Sequence, residues 1–361
     1  MNRINFCAPI TPNTGYGITS ISILKEMIRE RKVDVFPIGH AQAESEDDRL
    51  LFQHLLRATQ KDWDHRSPCL KIWHPNALAD RIGSGKYGAL TFFEIDRIKP
   101  VEQKMINSTD CIFVASQWAK NILLDNNITT KIVVTPLAVN RTIFNINDDI
   151  PNKEFLDKQK TYRFINIGKW EIRKGHDILV EAFNKAFDEK DNVELIMMNH
   201  NSFLSEEENK TWESLYKTSK LGDKIKVLPR LQTQKDVAKI IMQCECGIFP
   251  ARAEGWNNEI LEVMACNKPV IATNYSAHTE YCNKDNCYLV DIQELCNAKD
   301  DKFFDGYGKW ANLGKSQIDQ MVEHMRYVYK NDIRTNDKGL GTAKEYTWEK
   351  TSNTILQELE Q

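Results

Sequence analysis

The chain has 361 residues, long for one domain and comfortable for two. Hydrophobic residues make up 41% and charged residues 27%, the balance of a globular protein with material for large cores. A net charge of −3 excludes a nucleic-acid binder that holds on by neutralising phosphates, yet a small anionic ligand needs only a few local cations.

In chain order, Ile4 to Ala8 predicts a strand, Tyr16 to Glu30 a helix and Val33 to Ile38 a second strand. Further strands are predicted over Cys69–Trp73, Ala89–Phe93, Cys111–Ala115 and Lys131–Thr135, most of them separated by helical patterns. Such alternation implies a parallel sheet wrapped on both faces. Asn145 to Lys160, polar and charged with Pro151, predicts a linker. The pattern then restarts. Tyr162–Ile167 predicts a strand and His176–Phe187 a helix, with Ile178, Leu179, Ala182, Phe183, Ala186 and Phe187 on one face. Strands are predicted at Val193–Met198, Lys224–Leu228, Cys246–Phe249 and Pro269–Ala272, with helices over Thr233–Gln243 and Glu259–Cys266. The tail Ser316–Gln361 reads as all helical, with breaks near Asn331 and Gly341. Two consecutive α/β units suit a ligand held at the carboxyl ends of the sheets.

Nine cysteines, an odd number scattered through apolar stretches, read as buried free thiols of a reducing compartment. Cys244 and Cys246 are too close to chelate alone, and no second pair completes a zinc site. Met1 to Asn5 leads straight into a strand without a signal-peptide core, and no apolar stretch approaches the ~20 residues of a membrane helix. A soluble cytoplasmic protein is the expectation.

Three loops follow strands and open helices, where a parallel sheet presents its ligands. In Thr11–Gly17, Gly15 and Gly17 let the backbone approach a ligand closely. A dinucleotide fingerprint would want glycine where Ser20 stands, so a plain tight turn fits equally well. The second loop, Gly168–Gly175, packs Lys169, Arg173 and Lys174 against a helix N-terminus that already carries partial positive charge. That crowding calls for an anion, and the flanking glycines favour a phosphate over a solvated basic loop. The third loop, Pro250–Glu262, places Glu254 before a helix that Asn257 or Asn258 can cap, and Glu262 one turn inside it. Carboxylates there can accept hydrogen bonds from sugar hydroxyls, while the amides of Trp256, Asn257 and Asn258 can meet a phosphate. The plain structural reading is that Glu259 and Glu262 offset the helix dipole.

Glu254-Gly255-Trp256, with Glu262 eight positions after Glu254, resembles the E-x7-E motif of the retaining family 4 glycosyltransferases. The run Leu261 to Thr273 and the Gly168–Gly175 loop, leading to Glu181-Ala182-Phe183, are similar to that family's other signatures. The resemblance covers the second half well and the first half in outline. It implies the GT-B fold, an α/β architecture of two Rossmann-like domains facing across a cleft. Residues 1–150 would form the acceptor-side domain and 151–335 the nucleotide-sugar domain, with a helical segment, 336–361, crossing back to the first. It further implies that Lys174, with Arg173 or Lys169, neutralises a donor diphosphate. Glu254 would touch the transferred sugar and Glu262 the ribose, with base contacts around Leu228 to Leu231, including Arg230. The implied reaction moves a hexose-type sugar from a nucleoside-diphosphate sugar to a glycan, lipid-linked or small-molecule acceptor. It proceeds with retention and without a bound metal or cofactor.

The chain departs from the family's pattern in places. Asn267 stands where the family has glycine, a turn asparagine can also make. Ala251 replaces a small hydroxyl residue. Where many relatives place a catalytic His in the first domain, this chain has Thr91 to Asp96, so Glu94 is a candidate, and His74 a second one. Three alternatives stay open. Asp62-Trp63-Asp64 with His65 could hold a divalent ion on a diphosphate, although a surface loop suits that polar stretch better. A nucleotide-sugar epimerase of the same fold is the second, and a catalytically silent nucleotide-sugar-binding protein the third.

Overall fold

A computed structural model describes residues 3–146, 161–300 and 302–361. The chain falls into two compact units: Met1–Ala138 with Tyr346–Gln361, and Val139–Glu345.

The first unit comprises β1 (Arg3–Ala8), α1 (Gly15–Glu30), β2 (Lys32–Pro37), α2 (Glu46–Lys61), β3 (Cys69–Ile72), β4 (Tyr87–Leu90), α3 (Pro100–Ile106), β5 (Cys111–Val114), α4 (Gln117–Asp125) and β6 (Lys131–Val134). The strands form one parallel sheet in the order β2-β1-β3-β4-β5-β6. Strands β3, β4 and β5 are buried end to end, as a sheet covered on both faces requires. The predicted strand Ala89–Phe93 sits earlier, at Tyr87–Leu90. The reason is local: the Phe92 amide is taken by the Tyr16 hydroxyl at 3.1 Å instead of a strand neighbour.

The second unit comprises β7 (Tyr162–Gly168), α5 (His176–Ala186), β8 (Val193–Asn199), α6 (Glu206–Lys217), β9 (Ile225–Val227), α7 (Gln234–Met242), β10 (Cys246–Phe249), α8 (Asn258–Ala265), β11 (Val270–Asn274), β12 (Tyr288–Asp291), β13 (Leu295–Lys299), β14 (Asp305–Ala311), α9 (Lys315–Lys330) and α10 (Asp337–Glu345). Six of its strands make a second parallel sheet, β12-β11-β10-β7-β8-β9, while β13 and β14 form an antiparallel hairpin. The core beneath it joins Phe164, Leu179, Phe183, Leu195, Ile248 and Met321. Trp170 stacks parallel to Trp212 at 5.8 Å.

The final helix, α11 (Trp348–Glu360), packs on the first unit. A methyl on Gly88 of β4 would lie 2.7 Å from the Leu359 side chain, so glycine admits the helix there. Glu358 binds Lys86 at 3.2 Å and Lys131 at 2.6 Å, and Arg31 meets Glu360 at 2.6 Å. The expected break at Gly341 is absent. Gly341 lies inside α10, which packs on α8, and the chain breaks instead at Tyr346–Thr347, where Thr347 caps α11. Division at 138/139 and 345/346 thus leaves α10 with the second unit, whereas the sequence divides at 150/151 and 335/336. The expected linker falls outside the described residues from 147 to 160. Among the described residues, no helix is long and apolar enough to cross a membrane. All nine cysteines are free, eight of them buried.

Candidate functional site

Strand order fixes where a ligand belongs. In the second sheet the direction of winding reverses between β7 and β10, and open α/β sheets bind ligands outside the carboxyl ends of their strands at such a point. The loops leaving these two strands are the cationic Gly168–Gly175 loop and the Pro250–Asn257 loop. They are locked together. Gly175 has φ 73, and a methyl on it would lie 2.0 Å from the Pro250 carbonyl oxygen, so only glycine fits. The Arg252 amide donates to the Arg173 carbonyl at 2.6 Å, and the Arg252 guanidinium holds Asp177 bidentately at 2.8 Å.

This junction buries an ionic cluster. Glu254, 5% exposed, takes Arg173 at 2.7 Å and Lys174 at 2.9 Å. Arg173 also meets Glu171 at 2.7 Å and donates to the Ala253 carbonyl at 2.7 Å, and Lys174 reaches Glu259 at 3.6 Å. Burial alone would push the Glu254 carboxyl up; Arg173 and Lys174 outweigh it and hold it down at about 2. For Lys174, burial works against the charge, but Glu254 and Glu259 raise its pKa on balance. The sequence calls for an outside anion to relieve the crowded cations. The structure corrects that reason: Glu171, Glu254 and Glu259 already compensate Lys169, Arg173 and Lys174. Lys169 is the outer cation, half exposed, 3.5 Å from Glu171 and over the Phe203 ring at 5.2 Å.

The helix starts here are bare. Gly175 at the head of α5 has no side chain to cap with. Asn257 occupies the N-cap of α8 with φ 80, yet its side chain makes no capping bond, contrary to expectation. The amide is engaged elsewhere, donating from Nδ2 to His278 Nε2 at 2.9 Å. His278 Nδ1 in turn donates to the Thr273 carbonyl at 3.0 Å, which fixes a neutral tautomer. Burial pushes the His278 pKa down to about 4. The amides of the first turn of α8 are left without a side-chain cap, an arrangement that suits an anion.

A segment absent from the sequence expectations supports this loop. Ser276–Glu280 forms a 3-10 turn, with Ser276 in a left-handed conformation at φ 55. The Glu254 amide donates to Ser276 Oγ at 2.8 Å, and the Ala277 amide to the Glu254 carbonyl at 3.3 Å. The Tyr281 hydroxyl reaches the carbonyls of Trp256 at 2.7 Å and Asn257 at 3.0 Å, while its ring packs on Trp256 at 4.8 Å. Buried Ser, His and Tyr just after a strand end were the available signal.

The carboxyl of Glu262, 8% exposed on the first turns of α8, makes no hydrogen bond or ion pair among the described residues. Burial, with the Glu259 charge behind it, raises its pKa to about 8. Arg230 and Leu231 follow β9 on a separate part of the unit. Arg230 edges an open depression of about 460 Å³ lined also by Asn199, His200, Ser202, Val227 and Leu228.

The first sheet reverses between β1 and β3, and the first-unit candidates gather at that carboxyl edge. The Tyr16 ring lies 4.6 Å from His74, 4.9 Å from Phe92 and 5.7 Å from Trp73. His74 is exposed and Glu94 half-buried, its charge helping to raise the Tyr16 pKa after burial, the larger cause. Gly15 and Gly17 lie in the first turn of α1, where the Gly17 amide is capped by Thr14 Oγ1 at 3.1 Å. A methyl on Gly17 would sit 1.9 Å from the Thr11 carbonyl oxygen, so this glycine serves close packing. Asp62 pairs with Lys32 at 3.0 Å and Arg3 at 3.2 Å, and Asp64 accepts from the Arg66 amide at 2.9 Å. Both carboxylates thus serve a surface turn. Among the described residues, no group of three or more His, Cys, Asp or Glu could hold a metal ion.

Known proteins bear on this geometry. The whole chain superposes on sucrose-phosphate synthase from Thermosynechococcus elongatus with a TM-score of 0.75 at 14% identity, over 98% of that chain. It superposes equally completely on Anabaena HepE in complex with UDP and glucose, with a TM-score of 0.69 at 13% identity. The fold is GT-B. Residues 161–300 match the family described as "Glycosyl transferases group 1", a match that spans both site loops. Two uncharacterised glycosyltransferases of Methanocaldococcus jannaschii are similar in sequence, at 26% identity over 57% of this chain and 29% over 67%. The chain spans about half the length of these curated relatives, 48% and 57%.

Proposed function

We propose that the chain is a retaining glycosyltransferase that moves a hexose-type sugar from a nucleoside-diphosphate sugar to a glycan, lipid-linked or small-molecule acceptor. The observation that carries this reading is the buried Glu254–Arg173–Lys174 cluster, set where two uncapped helices start at the sheet's switch point. Support comes from the group 1 match over the same residues and from the UDP and UDP-glucose held by similar structures.

In this reading the diphosphate lies against Lys174 and the free amides of α8, with Lys169 at its outer side. Arg173, already committed to Glu171 and Glu254, acts by holding Glu254 in place. Glu254 accepts hydroxyls of the transferred sugar and, being ionised, stabilises positive charge that grows as the bond to phosphate breaks. Glu262 receives the ribose hydroxyls, which supply the partners its carboxyl lacks. Glu94 and His74 are the first unit's catalytic candidates for the acceptor. Two cations, Lys174 and Lys169, and helix amides serve the diphosphate, so the reaction proceeds without a divalent ion.

The test is turnover of a panel of nucleotide sugars with and without acceptors. Acceptor-dependent release of nucleoside diphosphate is expected. Epimerised donor with no transfer, or binding with no turnover at all, would replace this reading with an epimerase or a silent binder.

A further inference from the structure

Arg252 ties the two site loops together without using any of the groups that the sugar or the diphosphate would engage. Its guanidinium donates through Nη1 to the Ile172 carbonyl, and through Nη1 and Nη2 to the two carboxylate oxygens of Asp177, each at 2.8 Å. Ile172 and Asp177 stand on either side of Arg173 and Lys174 in the chain. One planar fork therefore brackets the turn that carries both cations. The main chain repeats the tie. The Arg252 amide donates to the Arg173 carbonyl at 2.6 Å, and the Arg252 carbonyl accepts from the Ala311 amide, at the end of β14, at 3.0 Å. Arg252 is buried, Asp177 is partly exposed in the first turn of α5, and Glu254 follows only two residues after Arg252.

Arg173 grips the Glu254 carboxylate, but a grip between side chains is only as well placed as the two loops that carry them. The Lys174 ammonium is shared between Glu254 at 2.9 Å and Glu259 at 3.6 Å. A diphosphate lying against Lys174 would claim part of the same ammonium, and so would loosen its hold on Glu254 while that carboxylate meets the sugar. The partners of Arg252 take no part in this exchange. We propose that Arg252, through its pairing with Asp177, is a positioning residue for the transfer, holding the loop of Glu254 in fixed register with Arg173 and Lys174 while the nucleotide sugar is bound. This rests on the nucleotide-sugar reading above and adds to it a residue pair that acts through Glu254, not on the substrate. A small misplacement of a group needed in the transition state costs rate more than it costs binding, so the loss belongs in kcat.

Two variants with different charge consequences test it. Arg252→Lys keeps the charge and loses the fork, whereas Asp177→Asn keeps the shape and removes a negative charge beside the cationic loop. Acting by charge alone, the first would be silent and the second would tighten nucleoside diphosphate binding. Nucleoside diphosphate release, to water or to an added acceptor, is followed from UDP-glucose, UDP-N-acetylglucosamine, GDP-mannose and ADP-glucose, well below the melting temperature. The expected result is a kcat lowered about tenfold or more in both variants, with the donor KM within about threefold of wild type. Asp177→Asn, isosteric and partly exposed, carries the test should Arg252→Lys fail to fold. Full kcat in either folded variant, even with a lowered melting point, makes the pair a structural tie only and overturns the proposal while the nucleotide-sugar reading stands. A raised donor KM at unchanged kcat overturns it as well. Failure of the wild type to turn over any of the four overturns both.

Discussion

At the scale of single residues, Glu254 and Glu262 have opposite environments and should fail in different ways. Glu254→Gln removes the charge shared by two buried cations. We expect kcat to fall about 10²-fold, the scale of a transition-state contact of ~2.7 kcal/mol. The sequence alone gives no reason for a stability loss, but breaking a buried ion pair typically costs about 3 kcal/mol, so the melting point should drop by about 5 °C or more. Glu262→Gln removes an unpartnered carboxyl and should raise the donor KM with little change in kcat, while melting at or above the wild-type temperature. The pH dependence has a definite sign. The folded protein keeps the Glu262 proton to about 8, whereas the free group loses it near 4.5. Wild-type stability should therefore fall relative to Glu262→Gln as pH rises between those values. Donor affinity should rise through about pH 8 as the carboxylate forms, and Glu262→Gln should flatten that rise. A donor titration from pH 6 to 9 on both proteins checks this, and parallel profiles would remove Glu262 from the ribose. Lys174→Ala should weaken nucleoside diphosphate tenfold or more, the loss of a charged hydrogen bond of ~1.5–3 kcal/mol.

At the scale of elements, the site loop depends on the turn that follows β11. Tyr281→Phe deletes a single oxygen that bonds the carbonyls of Trp256 and Asn257. Catalytic efficiency should fall roughly tenfold for about 1 kcal/mol of lost stability. A stability loss with unchanged kcat/KM would make Tyr281 a packing residue only. Much of this site was legible in the sequence because residue type and local position coincided: glycines at loop ends, cations before a helix, two glutamates eight apart. Asn267 was legible for the same reason, and it does adopt the left-handed turn, φ 57, expected of a residue standing in for glycine. What was not legible depends on contacts made far along the chain. Nothing near Arg173 announces that Glu254 will neutralise it, and nothing near Asn257 announces that His278 will take its amide. The β13–β14 hairpin escaped because its alternation is weak, with Leu295 and Tyr307 exposed. Gly341 misled because α10 draws its stability from packing on α8, which outweighs the propensity of one glycine.

At the scale of the whole molecule, the chain ends by completing the unit with which it began. Ile355, Leu356 and Leu359 are buried in the first unit, and Glu358 bridges Lys86 to Lys131 across the sheet. Removal of Tyr346–Gln361 should therefore expose the first unit to limited proteolysis while Val139–Glu345 persists as a resistant fragment; equal susceptibility of both would show that α11 is dispensable. The proposed transfer reaction depends first on the Glu254 cluster of the second unit. Its most direct test is steady-state transfer from the preferred nucleotide sugar, run with chelator present, for wild type and Glu254→Gln. The account predicts acceptor-dependent turnover that survives chelation in the wild type and falls about 10²-fold in the variant at saturating donor. Full kcat in Glu254→Gln, or wild-type turnover abolished by chelator and restored by manganese or magnesium, would contradict it.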